Sequence, residues 1–370
     1  MKKILLGTTA VIALGTMTTE TLAADKIDLK LGGFHRHYVG LTDNDDEVAA
    51  TNNAARDKSI SQFANTEIYF TGSTTLDNGL TVAVRTELEV DSASTDNTDR
   101  NFITISSDAM GALTIGSAQP FGEGNFVRVP NAGNFDWNDL APWIGNATTA
   151  GNPSSAFAFS ANLVEDTGSD DARIKYQSPS FNGFSVGGDY TWASNNTREA
   201  HNARRVSGDM NEAYSVGAAY EGAFSGADVA ADVTYYSRQG AGTTSDGWDQ
   251  LHVGLSVGMS GFTVAGGYTD FDDNDGGSSE DDGEGWELGV GYETGPYSLS
   301  AAYMTSSNKG TAATAGDNED EAWQIVATYD MGAGVALTAT YFDIEADAEG
   351  AATTTKRGGN GLIAGIEVGF

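Results

Sequence analysis

The stretch Asp249-Gln-Leu-His-Val-Gly-Leu-Ser-Val-Gly-Met-Ser260-Gly261-Phe-Thr-Val-Ala-Gly-Gly-Tyr-Thr-Asp-Phe271 decides the fold. Leu251, Val253, Leu255, Val257 and Met259 recur at every second position, and the residues between them are small or polar, as at His252. A strand sends successive side chains to opposite faces, so this spacing marks a strand with one apolar face. Ser260-Gly261 then reverses the chain in two residues, a hairpin signal. The same figure returns at Val229, Ala231, Val233 and Tyr235, and at Leu362, Ala364, Ile366, Val368 and Phe370. Asp228, Asp232, Gly365 and Glu367 occupy the opposite parity.

Outward from this hairpin, tight turns alternate with long polar loops. Asp77-Asn78-Gly79, Phe181-Asn182-Gly183, Ser260-Gly261 and Gly295-Pro296 are the tight ones. The division predicts upward strands at 27–41, 80–91, 111–120, 184–194, 227–238, 262–271, 297–305 and 335–344. Downward strands are predicted at 59–76, 100–108, 171–181, 212–224, 249–259, 285–294, 321–331 and 360–370. Sixteen strands with short turns at one end and long loops at the other predict an all-β, 16-stranded antiparallel transmembrane β-barrel. A soluble sandwich also alternates, but the aromatic residues separate the two. Tyr190, Trp192, Tyr214, Tyr268, Trp286, Tyr303, Trp323 and Tyr341 gather at the upper strand ends. Phe184, Tyr220, Phe262, Tyr292, Tyr297, Tyr329 and Phe370 gather at the lower ends. Two aromatic girdles around an apolar band belong to a barrel in lipid.

Composition removes several classes. The 370 residues include no cysteine, so disulfides, thiolate metal sites and cysteine nucleophiles are absent. Fifty-two acidic against 19 basic residues give a net charge of −33, which argues against nucleic-acid binding. Disorder is disfavoured by 6 Trp, 14 Tyr and 16 Phe in regular segments. A halophilic soluble protein would explain the acidity and not the turn rhythm. Lys2-Lys3, the apolar run Ile4 to Leu14 and the small residues Ala23 and Ala24 read as a secretory signal. Residues 1–24 are therefore expected to be removed, leaving 25–370 as a single barrel domain. In a membrane, only a closed barrel satisfies the backbone of such strands.

The stretch Phe63-Ala-Asn-Thr-Glu-Ile-Tyr-Phe-Thr-Gly-Ser-Thr-Thr-Leu-Asp-Asn-Gly-Leu-Thr-Val-Ala-Val-Arg85 resembles an early strand–turn–strand of the Gram-negative general diffusion porins. Arg100-Asn-Phe-Ile with Gly111-Ala-Leu-Thr-Ile-Gly116 resembles the next hairpin, and terminal Phe370 resembles the family's C-terminal aromatic. The resemblance implies an outer-membrane homotrimer of 16-stranded barrels, inserted by the barrel-assembly machinery beside lipopolysaccharide. Each barrel would pass ions and small hydrophilic solutes, and its third external loop would fold into the lumen. No cofactor, metal or nucleic acid is implied.

That third connection runs from Phe121 to Asp170 and carries Glu123, Arg128, Asp136, Asp139, Glu165 and Asp166. Fifty residues without regular structure are usually functional. The resemblance makes it the constriction; an external loop merely solvated by its charges is the alternative. Parity places Lys30, Arg36, Arg85, Arg173 and Lys175 on the inner face as a basic wall, with Glu87 and Glu89 beside Arg85. Where relatives often carry arginines, this chain has Thr114 and Ser117. Inner acids are plentiful at Glu67, Asp189, Asp232, Glu287, Glu293 and Glu367. Carboxylate-lined pores favour cations, so a cation preference is expected.

Weaker signals are set aside. The acidic run Asp270 to Asp282 fails EF-hand spacing, because aligning Gly276 puts Phe271 at the first ligand position. His35 and His37 share one face without an evident third ligand. Neither a nucleotide-binding loop nor a convincing hydrolase motif is found. A substrate-selective porin is the nearest alternative, and lumen rings such as Tyr69, Tyr236 and Phe342 would favour it if aligned. An outer-membrane enzyme or an adhesin ranks lower.

Overall fold

All sixteen expected segments are strands in the computed structural model. It describes residues 26–44, 58–91, 98–144, 171–192, 212–238, 247–273, 282–309, 317–348 and 355–370. The expected signal segment, Glu165 and Asp166, and most of the 270–282 acidic run lie outside the described residues.

Strand β1 (Lys30–Asn44) is followed by β2 (Lys58–Thr75), β3 (Thr81–Glu89), β4 (Thr98–Ser107) and β5 (Gly111–Ser117). One short helix, α1 (Trp137–Ile144), lies in the connection to β6 (Ala172–Gln177). Then come β7 (Phe184–Thr191), β8 (Ala213–Phe224), β9 (Ala227–Arg238), β10 (Trp248–Met259) and β11 (Phe262–Asp273). The last are β12 (Gly283–Thr294), β13 (Tyr297–Lys309), β14 (Asp317–Gly332), β15 (Val335–Ala348) and β16 (Thr355–Gly369). Each strand pairs antiparallel with its sequence neighbours, and β16 closes on β1. At the seam, Phe370 N donates to Gly33 O at 3.1 Å and Gly33 N donates to Phe370 O at 3.0 Å.

Several bounds differ from expectation: β6 ends at Gln177 rather than 181, β14 begins at Asp317 rather than 321, and β16 begins at Thr355 rather than 360. β5 stops at Ser117 rather than 120; Pro120 has no N–H to give a ladder. β13 and β15 run past 305 and 344 to Lys309 and Ala348, lengthening the wall at its upper end. The lower hairpins follow the rule for two-residue turns. Ser260 and Gly261 both have positive φ, 55° and 87°, as do Asn182 and Gly183, 51° and 89°. This is the backbone twist that matches paired strands.

One face of the wall is apolar and bare. Leu251, Val253, Leu255, Val257 and Met259 are all exposed, and Leu255 reaches 54%. In water such a surface would aggregate; in a membrane it is the lipid contact. Its edges carry rings in contact across strands. Trp286–Tyr303 at 5.3 Å and Tyr303–Trp323 at 4.6 Å lie at the upper end. Phe184–Tyr220 at 4.7 Å and Phe262–Tyr292 at 4.4 Å lie at the lower end. Among the described residues, no helix is long and apolar enough to cross a membrane; the strands make the crossing.

The opposite face is polar over most of the barrel but apolar on β13–β16 and β1. Met304, Ala322, Phe342, Ile344 and Ile363 are buried there with Tyr38. Their cover is α1, whose Trp137, Leu140, Trp143 and Ile144 share one side of the helix and join the same cluster. Asp139 Oδ2 reaches back to accept Asp136 N–H at 3.0 Å, half of a capping box that starts the helix.

Candidate functional site

The first half of the long connection, residues 118–144, is fastened to the inner face through its own backbone donors. Phe121 N–H donates to Asp189 Oδ2, and Val127 N–H to Asp232 Oδ1 at 2.7 Å. Val129 N–H donates to Glu287 Oε1 at 3.1 Å, and Ala132 N–H to Ser300 Oγ at 2.9 Å. Side chains add to this row. Trp137 Nε1–H reaches Glu287 Oε2 at 2.7 Å, Asn134 Nδ2–H reaches Glu367, and Lys175 Nζ reaches Gln119 O at 2.8 Å. The Phe126 ring lies 4.1 Å from the His252 ring. An irregular segment has backbone groups with no ladder, and buried ones need partners. Inner carboxylates on β7, β9, β12 and β16 supply them or brace the segment beside them.

These contacts change the meaning of the inner acids. Asp189 also binds Arg173 at 2.9 Å and Ser215. Glu287 also faces Arg128 at 3.5 Å, and Glu367 also accepts Tyr38 O–H at 2.6 Å. Glu67 accepts Tyr69 O–H at 2.7 Å. Asp189, Asp232, Glu287 and Glu367, read from sequence as lumen charges, are spent on holding the connection. Asp136 and Asp139 on the connection itself are exposed, as are Asp228, Glu293 and Asp330 at the lower end of the inner face. The Asp136 side chain is 60% exposed and lies 3.6 Å from Arg128. Asp139 is also exposed. Desolvation by its surroundings and the Asp136 charge push its pKa up to about 6. Because its surface still meets water, the rise belongs to an enclosed but wet site. Glu123 Oε1 accepts from Gln119 Nε2 at 2.8 Å.

Burial lowers the pKa of Arg128, but Glu287 and Asp136 outweigh it and hold the guanidinium above its usual value.

The basic residues divide likewise. Arg173 is fully buried against Asp189, and Lys175 is tied to the Gln119 carbonyl. Arg85 pairs with Glu87 and lies 4.4 Å over the Tyr69 ring. Arg36 is half-buried, with its guanidinium 3.9 Å over the Phe34 ring. Lys30, at the lower end of β1, is exposed. Sequence reading missed Arg100, which lies 3.6 Å from Glu87 and 3.8 Å from Asp99. Glu67, Glu87 and Asp99 bring carboxylate oxygens within 4.8 Å of one another. With Arg85 and Arg100 among them, they form an ion-pair network. Thr114 faces inward onto Thr104 at 3.0 Å. Ser117 has the outer parity of Leu113 and Ile115, so it is not a lumen position. Tyr236 and Phe342 are buried beneath other residues rather than aligned along a water path.

The family model described as Gram-negative porin matches residues 8–349. The chain belongs to the Gram-negative porin family. It is an outer-membrane protein, and its closed barrel is a passive diffusion channel. Solved structures of other barrels share this fold. An anion-selective porin from Comamonas acidovorans superposes with a TM-score of 0.63 at 16% identity, covering 93% of this chain and 100% of that one. Salmonella typhi OmpF, solved with daunomycin, gives 0.62 at 15% identity, with 92% and 97% covered. A trimer form of OmpT, an outer membrane protein of Vibrio cholerae, gives 0.62 at 11% identity, with 94% and 100% covered. At these identities the likeness is one of fold. No curated protein sequence matches this porin.

Proposed function

We propose that this porin passes small hydrophilic solutes and ions down their gradients, catalyses no reaction, and prefers cations at a constriction built by residues 121–170. The observation that carries this reading is the division of the acids. At the level of the connection the inner-wall carboxylates Asp189, Asp232, Glu287 and Glu367 hold it, while Asp136 and Asp139 on it stay exposed. Arg36 on β1, within electrostatic reach of Asp139, supplies opposing charge at the opening. Carboxylates at a narrow point concentrate cations and repel anions. Glu165 and Asp166 extend the same acidic segment in sequence. The expected basic wall is reduced in this reading to Lys30 and Arg36, since Arg85, Arg173 and Lys175 are engaged.

Swelling of proteoliposomes in neutral sugars of increasing size separates general diffusion from substrate selectivity. Rates that fall smoothly with solute size support general diffusion. One sugar far faster than its size allows would establish the substrate-selective alternative.

The same reading includes a homotrimer. The outer face of β1–β4 carries His35, His37, Gln62, Thr66, Thr86 and Asn101 where other strands carry apolar residues. Polar groups facing lipid are costly, and a second copy would cover them. His35 Nδ1 already pairs with Thr66 Oγ1 at 2.7 Å. Phe370 is proposed as the signal read by the barrel-assembly machinery, with lipopolysaccharide around the outer rim. A single barrel mass in mild detergent would refute the trimer.

A further inference from the structure

Glycine in a strand interior weakens the strand and often marks a place where another backbone comes close. In this barrel such glycines lie under the connection. A Cβ built on Gly254, in β10, would stand 2.5 Å from the Val127 carbonyl oxygen and 2.8 Å from the Val127 Cβ. One on Gly289, in β12, would stand 2.9 Å from the Val129 Cβ. One on Gly291 would stand 2.8 Å from the Pro130 Cβ. At the far end of the same segment, a Cβ on Gly40 in β1 would stand 2.3 Å from the Trp143 ring. Real Cβ atoms essentially never approach closer than 3.0 Å. Gly258 is a contrast on the same face of β10. Its three nearest neighbours would be Thr263 Oγ1 at 3.4 Å, Phe262 O at 3.7 Å and Asp228 Cβ at 3.9 Å, none of them in the connection.

We propose that Gly254, Gly289, Gly291 and Gly40 form a recessed seat in the barrel wall, and that its depth sets how far residues 127–143 stand into the opening. The carboxylate contacts fix where the segment attaches along the wall. The missing side chains fix how close it can lie. These glycines are positioning residues for the pore cross-section: widening or narrowing is encoded in the wall as well as in the loop. A single methyl under Val127, which would also stand 2.6 Å from Asp232 Oδ1, must push the segment and its Asp232 anchor toward the barrel axis or deform β10. The tight packing of such contacts makes the first a shift of the whole segment rather than a local adjustment. The inference rests on the reading of residues 121–170 as the constriction.

The test compares Gly254→Val and Gly291→Val with Gly258→Val by single-channel recording in planar bilayers. Each protein is first confirmed as an assembled barrel by heat-modifiable migration. Current follows the open cross-section, so unitary conductance should fall by roughly 1.5-fold or more in both seat variants. Gly258→Val should conduct as wild type. If the valine variants do not assemble, Gly254→Ala and Gly291→Ala carry the same comparison, since one methyl already makes the contact too short. Conductance equal to or above wild type in both seat variants overturns the proposal, as does an equal fall in Gly258→Val. Wild-type protein that forms no channel would instead defeat the porin reading, a separate failure visible before any variant is measured.

Discussion

Glu287 accepts the indole N–H of Trp137 at 2.7 Å across 150 residues of sequence. Its other oxygen takes the Val129 N–H at 3.1 Å and faces Arg128 at 3.5 Å. One buried carboxylate thus secures a backbone donor, a helix and a guanidinium. Glu287→Gln keeps the shape and removes the charge; Trp137→Phe removes the donor. Residues in one network couple by about 0.5–3 kcal/mol. Thermal unfolding of the detergent-solubilised barrel, measured for both single variants and the double, should show that coupling. Strict additivity would mean the two side chains do not act together.

The two faces of β10 give a second test. Leu255 is exposed on the outer face and Ser256 is on the inner one. Leu255→Arg should cost roughly 2–4 kcal/mol if it lies near the bilayer midplane, read by unfolding in lipid. Ser256→Arg should leave stability near wild type and change conductance. Conductance changes from both, with stability intact, would show the parity reversed.

The strands were legible because alternation, turn chemistry and aromatic placement each report the same local property, the face a side chain takes. Sixteen strands and their order followed. What parity could not show is what lies against a face. Asp189, Asp232, Glu287 and Glu367 have the parity of free lumen charges, yet they serve the connection's N–H groups, a contact made across more than 60 residues in each case. A signal was present. Phe342, Ile344 and Ala346 put apolar side chains on the inner face of β15, where a water-filled barrel would not keep them uncovered. The paired glycines of β12, Gly289 and Gly291, were the other sign that something rests on the wall.

Protonation of Asp139 should be visible in selectivity. Its pKa is pushed up to about 6, so it is charged above that pH and neutral below it. Cation preference should therefore weaken as pH falls through about 6. The sign for stability is the reverse of a salt-bridged carboxylate. An ordinary Asp titrates near 3.9, so ionisation of Asp139 is disfavoured by the fold and its contribution falls between about pH 4 and 6. Reversal potentials across that range should show a step in wild type that Asp139→Asn lacks. The same step in the variant would assign it to another group.

Phe370 completes the seam with two backbone bonds to Gly33. Deleting it removes both, along with an exposed ring at the lower girdle. The yield of heat-modifiable barrel in the outer membrane should drop well below that of a variant lacking residues 275–280. Equal yields would separate Phe370 from assembly.

A water-filled pore whose exposed loop acids favour cations would set the sign of the reversal potential in a potassium chloride gradient, recorded from single channels in planar bilayers. Screening shortens electrostatic reach from about 10 Å at 0.1 M to about 3 Å at 1 M salt. Ohmic channels with a cation-signed potential, largest in dilute salt and reduced by Asp136→Asn with Asp139→Asn, are the predicted result. An anion-signed potential in the wild-type protein would contradict it.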